Sequence, residues 1–111
     1  MNTDYMTRLV DVVIPAYNAA RYIKETLLSV AIQGPVLDKI IVVNDGSTDG
    51  TAEIVAHFAA DHPTLFVQII NQENAGLSAA RNAGIKAATA PYIALLDADD
   101  VWLPEKLEKQ L

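Results

Sequence analysis

Short apolar runs alternate with helix-periodic segments along this chain, and that alternation limits the fold more than any other feature. Val10 to Pro15 (VDVVIP) is β-branched and stops on a proline, so it reads as a buried strand. KIIVVND, with its apolar centre at Ile40 to Val43, TLFVQIIN and YIALLDA give three more strands. Between the first two lies AYNAARYIKETLLSVAIQG. There Ile23, Leu27, Val30 and Ala31 recur at helical spacing, Asn18 is placed to cap the start, and Gly34 to end it. GSTDGTAEIVAHFAADHP reads as a turn and then a helix with Ile54, Val55, Phe58 and Ala59 on its apolar face and Pro63 just past its end. GLSAARNAGIKAATA is an Ala-rich helix in spite of Gly84, and Pro104 is expected to open a last helix that runs into Leu111.

The resulting β-α-β-α-β-α-β order predicts a Rossmann-like three-layer α/β sandwich. Its sheet should be mostly parallel, covered on both faces, and joined by right-handed crossovers. No repeat, low-complexity tract or linker interrupts the 111 residues, which is one small domain at most. Residues 1–9 are expected to form a flexible terminus.

Composition excludes several classes. A net charge of -6 argues against a nucleic-acid partner, because that binding depends on Lys and Arg neutralising phosphates. The absence of cysteine removes disulfide frameworks, thiolate-zinc sites and Cys nucleophiles. The N-terminal MNTDYMTRLV carries Asp4 and no long apolar core, so it does not read as a signal peptide. No apolar run approaches the ~20 residues of a membrane span. The expected location is cytoplasmic, with attachment to the inner face of a membrane left to sequence outside this chain.

In an open α/β sheet, ligands bind beyond the carboxyl ends of the strands. The residues that follow each strand here are Pro15-Ala16-Tyr17-Asn18, Asn44-Asp45-Gly46-Ser47, Asn71 with the loop Gln72 to Gly76, and Asp97-Ala98-Asp99-Asp100. Most of the chain's distinctive polar residues therefore fall on one edge of one sheet. Carboxylates in an oxygen-rich site suit Mg²⁺ or Mn²⁺, and Mg²⁺ is commonly held by one or two carboxylates plus substrate phosphates. An Asp-x-Asp in extended conformation would present both side chains on one face. The competing role for Asp99 or Asp100 is a cap on the helix near Pro104. Asp45 is placed to reach a nucleoside, while Ser47 or Asp49 supplies the cap of the second helix. Neither a P-loop nor a G-x-G-x-x-G turn is present, so a bound nucleotide would depend on a metal for its phosphate charge. Arg81 could meet a phosphate, a nucleoside or the Asp cluster, or form a surface ion pair. Tyr17 could stack on a base. Trp102 is expected to pack the last loop on the core. His57 and His62 are given no role.

Four segments, VVIPAYNAARYIKETLLSVAIQ, IIVVNDGSTDGT, NQENAGLSAARNAGI and YIALLDADDVWLPEKL, resemble the family 2 inverting glycosyltransferases of GT-A fold, over about Val10 to the C-terminus. The resemblance implies a truncated GT-A fold with strand order 3-2-1-4, corresponding to the nucleotide-sugar-binding half of such an enzyme, of the kind found in cell-envelope polysaccharide biosynthesis. It implies a nucleotide-sugar donor, often UDP-linked, lying against Pro15, Ala16 and Tyr17, with its base on Asp45. The family usually has Asp where this chain has Asn44. Gly76, Ser78 and Arg81 would border the donor. Asp97 and Asp99 would form the metal motif, with Ala98 between them and Asp99 the direct Mg²⁺ or Mn²⁺ ligand; Asp100 would support them. The implied reaction is a single displacement with inversion. Its general base, and the site for a saccharide or lipid-linked acceptor, would lie beyond Leu111, so no residue here is assigned as the base. Self-association through an apolar face left uncovered is a further expectation. Two other readings stay open at this point: a nucleotide- or metal-binding module without catalysis, and a receiver-like Mg²⁺-binding signalling domain. The receiver-like reading ranks last because it needs paired acids after the first strand. A nucleotidyltransferase would need a Gly-rich basic loop there, which this chain lacks.

Overall fold

The computed structural model describes residues 7–111. Its elements run β1 (Val10–Ala16), α1 (Ile23–Ala31), β2 (Leu37–Asp45), α2 (Thr51–Asp61), β3 (Phe66–Gln72), α3 (Leu77–Ala87), β4 (Tyr92–Leu95) and α4 (Lys106–Gln110). The strands form one sheet in the order β3-β2-β1-β4, and every pairing is parallel. The expected order is met. A receiver-like domain is excluded, because that fold places β1 between β2 and β3, whereas here β1 lies between β2 and β4.

Chain direction explains the layers. The chain winds outward from β1 through β2 to β3, then crosses back over the sheet to β4. Right-handed crossovers running in opposite directions put their helices on opposite faces. The α1 and α2 side is the larger core: Val12 and Ile14 of β1 and Ile40 and Val42 of β2 pack with Ile23, Leu27, Val30, Val55 and Phe58. Full burial of each such side chain stabilises the fold by about 1.5–3 kcal/mol. On the other face, Val13, Ile41 and Val43 meet Ala80 of α3. Gly84 lets α3 lie directly on the sheet, since a Cβ there would sit 2.2 Å from a Val13 methyl carbon.

Coverage is less complete than the sequence predicts. β1 is buried throughout, but β4 is an edge strand with Tyr92, Ile93 and Leu95 exposed. The strand part of YIALLDA, Tyr92–Leu95, is thus apolar and largely exposed, while Leu96 and Ala98 after it are buried. On the Val13 face α3 packs on β1 and β2, and β4 at the edge stays largely exposed. Helix starts also differ. Asn18 does not cap α1, which begins at Ile23; Asn18 has φ +49° and turns its side chain toward the β2–α2 loop instead. Pro104 precedes α4 but does not open it, because Glu105, in left-handed conformation, stands at its cap position. Neither Asp99 nor Asp100 caps that helix. Of the segment expected to be flexible, residues 1–6 lie outside the described residues, while the amides of Arg8 and Leu9 donate to the carbonyls of Pro35 and Val36. No helix among the described residues is long and apolar enough to cross a membrane.

Candidate functional site

Parallel strands bring all their carboxyl ends to one edge. There a cavity of about 240 Å³ opens between the ends of β1 and β2 and the start of α3. Pro15, Ala16, Tyr17, Asp45 and Gly76 line it, as the sequence predicts, together with Asn74, Leu77 and Ala80. Tyr17 is about half exposed, so its ring is available to a planar ligand.

Asp45 is the most connected side chain of this cavity. Its Oδ1 accepts from Gln72 Nε2 at 2.9 Å and from the Ala75 amide at 2.8 Å. Its Oδ2 accepts from the Gly76 amide at 3.0 Å, with Asn74 Nδ2 at 3.4 Å. The Gln72 amide and the Ala75 and Gly76 N–H groups hold this carboxyl below the ordinary carboxylate value, against the opposing effect of burial. Asp45 thus faces the cavity as expected, but its first role is to shape the 72–76 loop. That loop packs closely: a Cβ on Gly46 (φ +73°) would lie 2.6 Å from the Asn74 nitrogen. Neighbouring Asn44 points to the other face, where it donates to Asn71 Oδ1 and accepts from the Ser47 amide.

A clasp fixes the wall carrying Tyr17. The Asn18 amide donates to Ser47 Oγ at 2.9 Å, and Asn18 Oδ1 accepts from the Thr48 amide at 2.8 Å. The Ala20 amide donates to Asp49 Oδ2. Asp49 Oδ1 also accepts the Thr51 amide, so Asp49, rather than Ser47, meets the start of α2.

The acidic segment follows β4 as a turn: the Asp100 amide donates to the Asp97 carbonyl at 3.0 Å. Asp97 and Asp99 are therefore not on an extended strand, as expected from the sequence, because sheet pairing ends at Leu95. Arg81 Nη2 donates to Asp97 Oδ1 at 3.1 Å, so the guanidinium stands at the Asp cluster. Among the described residues, Arg81 Nε is buried without a hydrogen-bond partner. Arg81, Asp97 and Asp100 border a second cleft with Leu95, Leu96, Val101 and Trp102. Ser78 is exposed in the first turn of α3, and Ala98 is buried; neither lines these two cavities. Trp102 packs against the larger core, as predicted.

Among the described residues, no three His, Cys, Asp or Glu side chains gather into a cage for a metal ion. Asp99 and Asp100 are exposed, and among the described residues neither carboxylate takes part in a side-chain hydrogen bond or ion pair. This donor set fits a hard cation that takes one or two carboxylates and completes its shell with water and phosphate oxygens. Sequence reasoning missed Asn74, Leu77, Ala80 and Gln72. Asn74 was within reach of it, two residues before the positive-φ Gly76 that opens α3.

Comparison with known proteins agrees with this layout. The chain is 42% identical over 103 residues to a Bacillus subtilis protein, TuaG, named for teichuronic acid biosynthesis as a glycosyltransferase, spanning 93% of this chain and 40% of that one. It is 41% identical to the glycosyltransferase GlyA of Streptococcus pneumoniae, over 86% of this chain and 13% of that one. Among solved structures it superposes on the mannosyltransferase PcManGT of Pyrobaculum calidifontis, in complex with GDP-Man and Mn²⁺, with TM-score 0.83 and 32% identity, over 89% of this chain and 30% of that one. It also superposes on S. aureus TarS 1-349 in complex with UDP, with TM-score 0.78 and 29% identity, over 91% of this chain and 30% of that one. The chain thus spans well under half the length of these relatives, and its sheet is that of the GT-A fold. Residues 11–111 match the family described as Glycosyl transferase family 2, and the chain belongs to that family.

Proposed function

We propose that this chain binds the nucleoside diphosphate of a sugar donor and serves as the donor half of a glycosyltransferase that acts with inversion. The observation that carries this reading is the placement of the Tyr17–Asp45–Gly76 cavity and the Asp97–Asp100 turn on one sheet edge, joined through α3 and Arg81. The nucleoside lies against Pro15, Ala16 and Tyr17, and the diphosphate runs toward the acidic turn. Asp99 is the direct ligand of Mg²⁺ or Mn²⁺ and Asp97 stands beside it, oriented by Arg81. The cation, when bound, offsets negative charge on the leaving diphosphate. The general base and acceptor site belong to the part of the relatives that this chain does not span. None of the aspartates described here is assigned as the base.

A UDP-linked donor is proposed. Solved relatives carry UDP and GDP-Man, so both nucleotides belong in the test. Calorimetric titration of UDP and GDP, with and without MnCl₂, should give saturable binding that Mn²⁺ strengthens. Absence of binding by both nucleotides, with the fold intact, would overturn the reading.

A further inference from the structure

Helix α1 and the turn after it carry three buried polar side chains, Thr26, Ser29 and Gln33. Their spacing places them on one side of the helix. Buried polar groups are costly unless hydrogen-bonded, so their partners show what they are for. Outside α1 and its cap residue Tyr22, those partners belong to one segment. Thr26 Oγ1 has one proton to donate and three carbonyl oxygens in reach, that of Asp100 at 2.7 Å, that of Ala98 at 2.8 Å and that of Tyr22 at 3.3 Å. Ser29 Oγ accepts the Trp102 amide at 3.1 Å. Gln33 Nε2 donates to the Leu103 carbonyl at 2.9 Å, and its Oε1 accepts the Leu107 amide at 3.0 Å.

This segment needs external support. Sheet pairing stops at Leu95, and α4 starts only at Lys106. The Leu96 amide still donates to the Val13 carbonyl, but from Asp97 to Glu105 the chain has neither ladder nor helix to fix its course. Thr26 meets the carbonyls on either side of Asp99, so a single hydroxyl brackets the residue proposed to hold the cation. A stripe serving only as core filling would favour apolar side chains, which need no partners.

We infer that Thr26, with Ser29 and Gln33, is a positioning residue for the cation: it sets where the Asp99 carboxylate stands by sharing its one hydroxyl proton between the backbone carbonyls that flank it. The inference rests on the donor-binding reading above. Groups that orient a metal ligand typically contribute 10–100-fold to metal affinity. The chain acts through backbone here, so the effect expected is near the lower end, about tenfold.

The test reads Mn²⁺ affinity directly, from the electron paramagnetic resonance signal of free Mn²⁺, in the presence of whichever of UDP and GDP the wild-type chain binds. Thr26→Val keeps the shape and removes the hydroxyl. It should raise the Mn²⁺ Kd about tenfold and leave metal-free nucleotide affinity unchanged. Thr26→Ser should restore Mn²⁺ affinity, and Gln33→Met should weaken it in the same direction. If Thr26→Val does not fold, Ser29→Ala and Gln33→Met carry the comparison. Folded variants with wild-type Mn²⁺ affinity overturn the inference while the donor-binding reading stands. A wild-type chain that binds neither nucleotide fails that reading first, and this inference falls with it.

Discussion

Arg81 Nη2 stands 3.1 Å from Asp97 Oδ1 and ties the first turns of α3 to the loop beyond β4. Both side chains are more than a third exposed, so the pair belongs to the class that contributes about 0–1 kcal/mol to stability. Its importance for the site is larger than its importance for the fold. Arg81→Ala should change urea unfolding by less than about 1 kcal/mol. It should weaken Mn²⁺-supported nucleotide affinity roughly tenfold, the lower range for a group orienting a metal ligand. Wild-type Mn²⁺-supported affinity in Arg81→Ala would show that the pair is only a surface bridge.

Asp45 is a shaping residue before it is a contact residue. Asp45→Asn keeps the size but replaces one acceptor oxygen by a donor, which then faces backbone N–H groups. Losing partners for buried donors costs about 1–3 kcal/mol each. Amide hydrogen exchange at Ala75 and Gly76 should accelerate, and nucleotide affinity should fall with it. Unchanged exchange at those amides would remove Asp45 from the loop's support.

Gly84 tests the packing of α3 independently of ligand. The Cβ of Gly84→Ala would meet Val13 in the smaller core, and overpacking of this kind costs about 1–3 kcal/mol. Thermal unfolding should register that loss. Nucleotide affinity, measured well below the melting temperature, should stay near wild type.

Stability should depend on pH in the acid range. Asp11 is fully buried on β1, and Lys39 Nζ lies 2.8 Å from its Oδ2. Burial raises its pKa, but the Lys39 side chain and the amides of Ala90, Thr89 and Lys39 outweigh that and hold it below 3.8. Asp45 is depressed too. A carboxylate with a lowered folded-state pKa stabilises the fold above its unfolded value, and that contribution is lost as pH falls through the folded value. Unfolding free energy should therefore change little between neutral pH and about pH 5, then drop below about pH 4. Asp11→Asn should flatten part of that drop and cost roughly 3 kcal/mol at neutral pH, because Lys39 loses its nearer counter-charge and keeps only Asp38 at 3.8 Å. A profile identical to wild type would contradict this.

How much of this could be read from the sequence depends on the range of the interaction. Continuous apolar runs at Val10–Pro15 and Ile40–Val43 announced central strands, because β-branched runs fit a sheet covered on both faces. The same rule misjudged Tyr92–Leu95, where the pattern is alike but only one neighbouring strand is present. Local capping chemistry suggested Asn18 for α1, yet its side chain serves Thr48, 30 positions away; a long-range partner overrode a local preference. The strand-end residues Tyr17, Asp45 and Gly76 were legible because parallel topology collects strand ends. Gln72 and Asn74 were not, since their importance comes from the Asp45 carboxylate across the edge. Thr26, Ser29 and Gln33 carry no local signal that sets them apart, and only the course of residues 98–107 gives them a common purpose.

The central claim is that a nucleoside diphosphate binds along the carboxyl edge of this sheet. The most direct test is a titration of the isotopically labelled chain with UDP, and separately GDP, in the presence of Mg²⁺, followed by amide chemical shifts. The account predicts perturbations at Tyr17, Asp45, Ala75, Gly76 and Ala80 and at Asp97 to Asp100, with the Asp97 to Asp100 changes lost in Asp99→Ala. Perturbations centred instead on Arg8, Asp38 and Phe66 at the opposite edge, or none with either nucleotide, would contradict it.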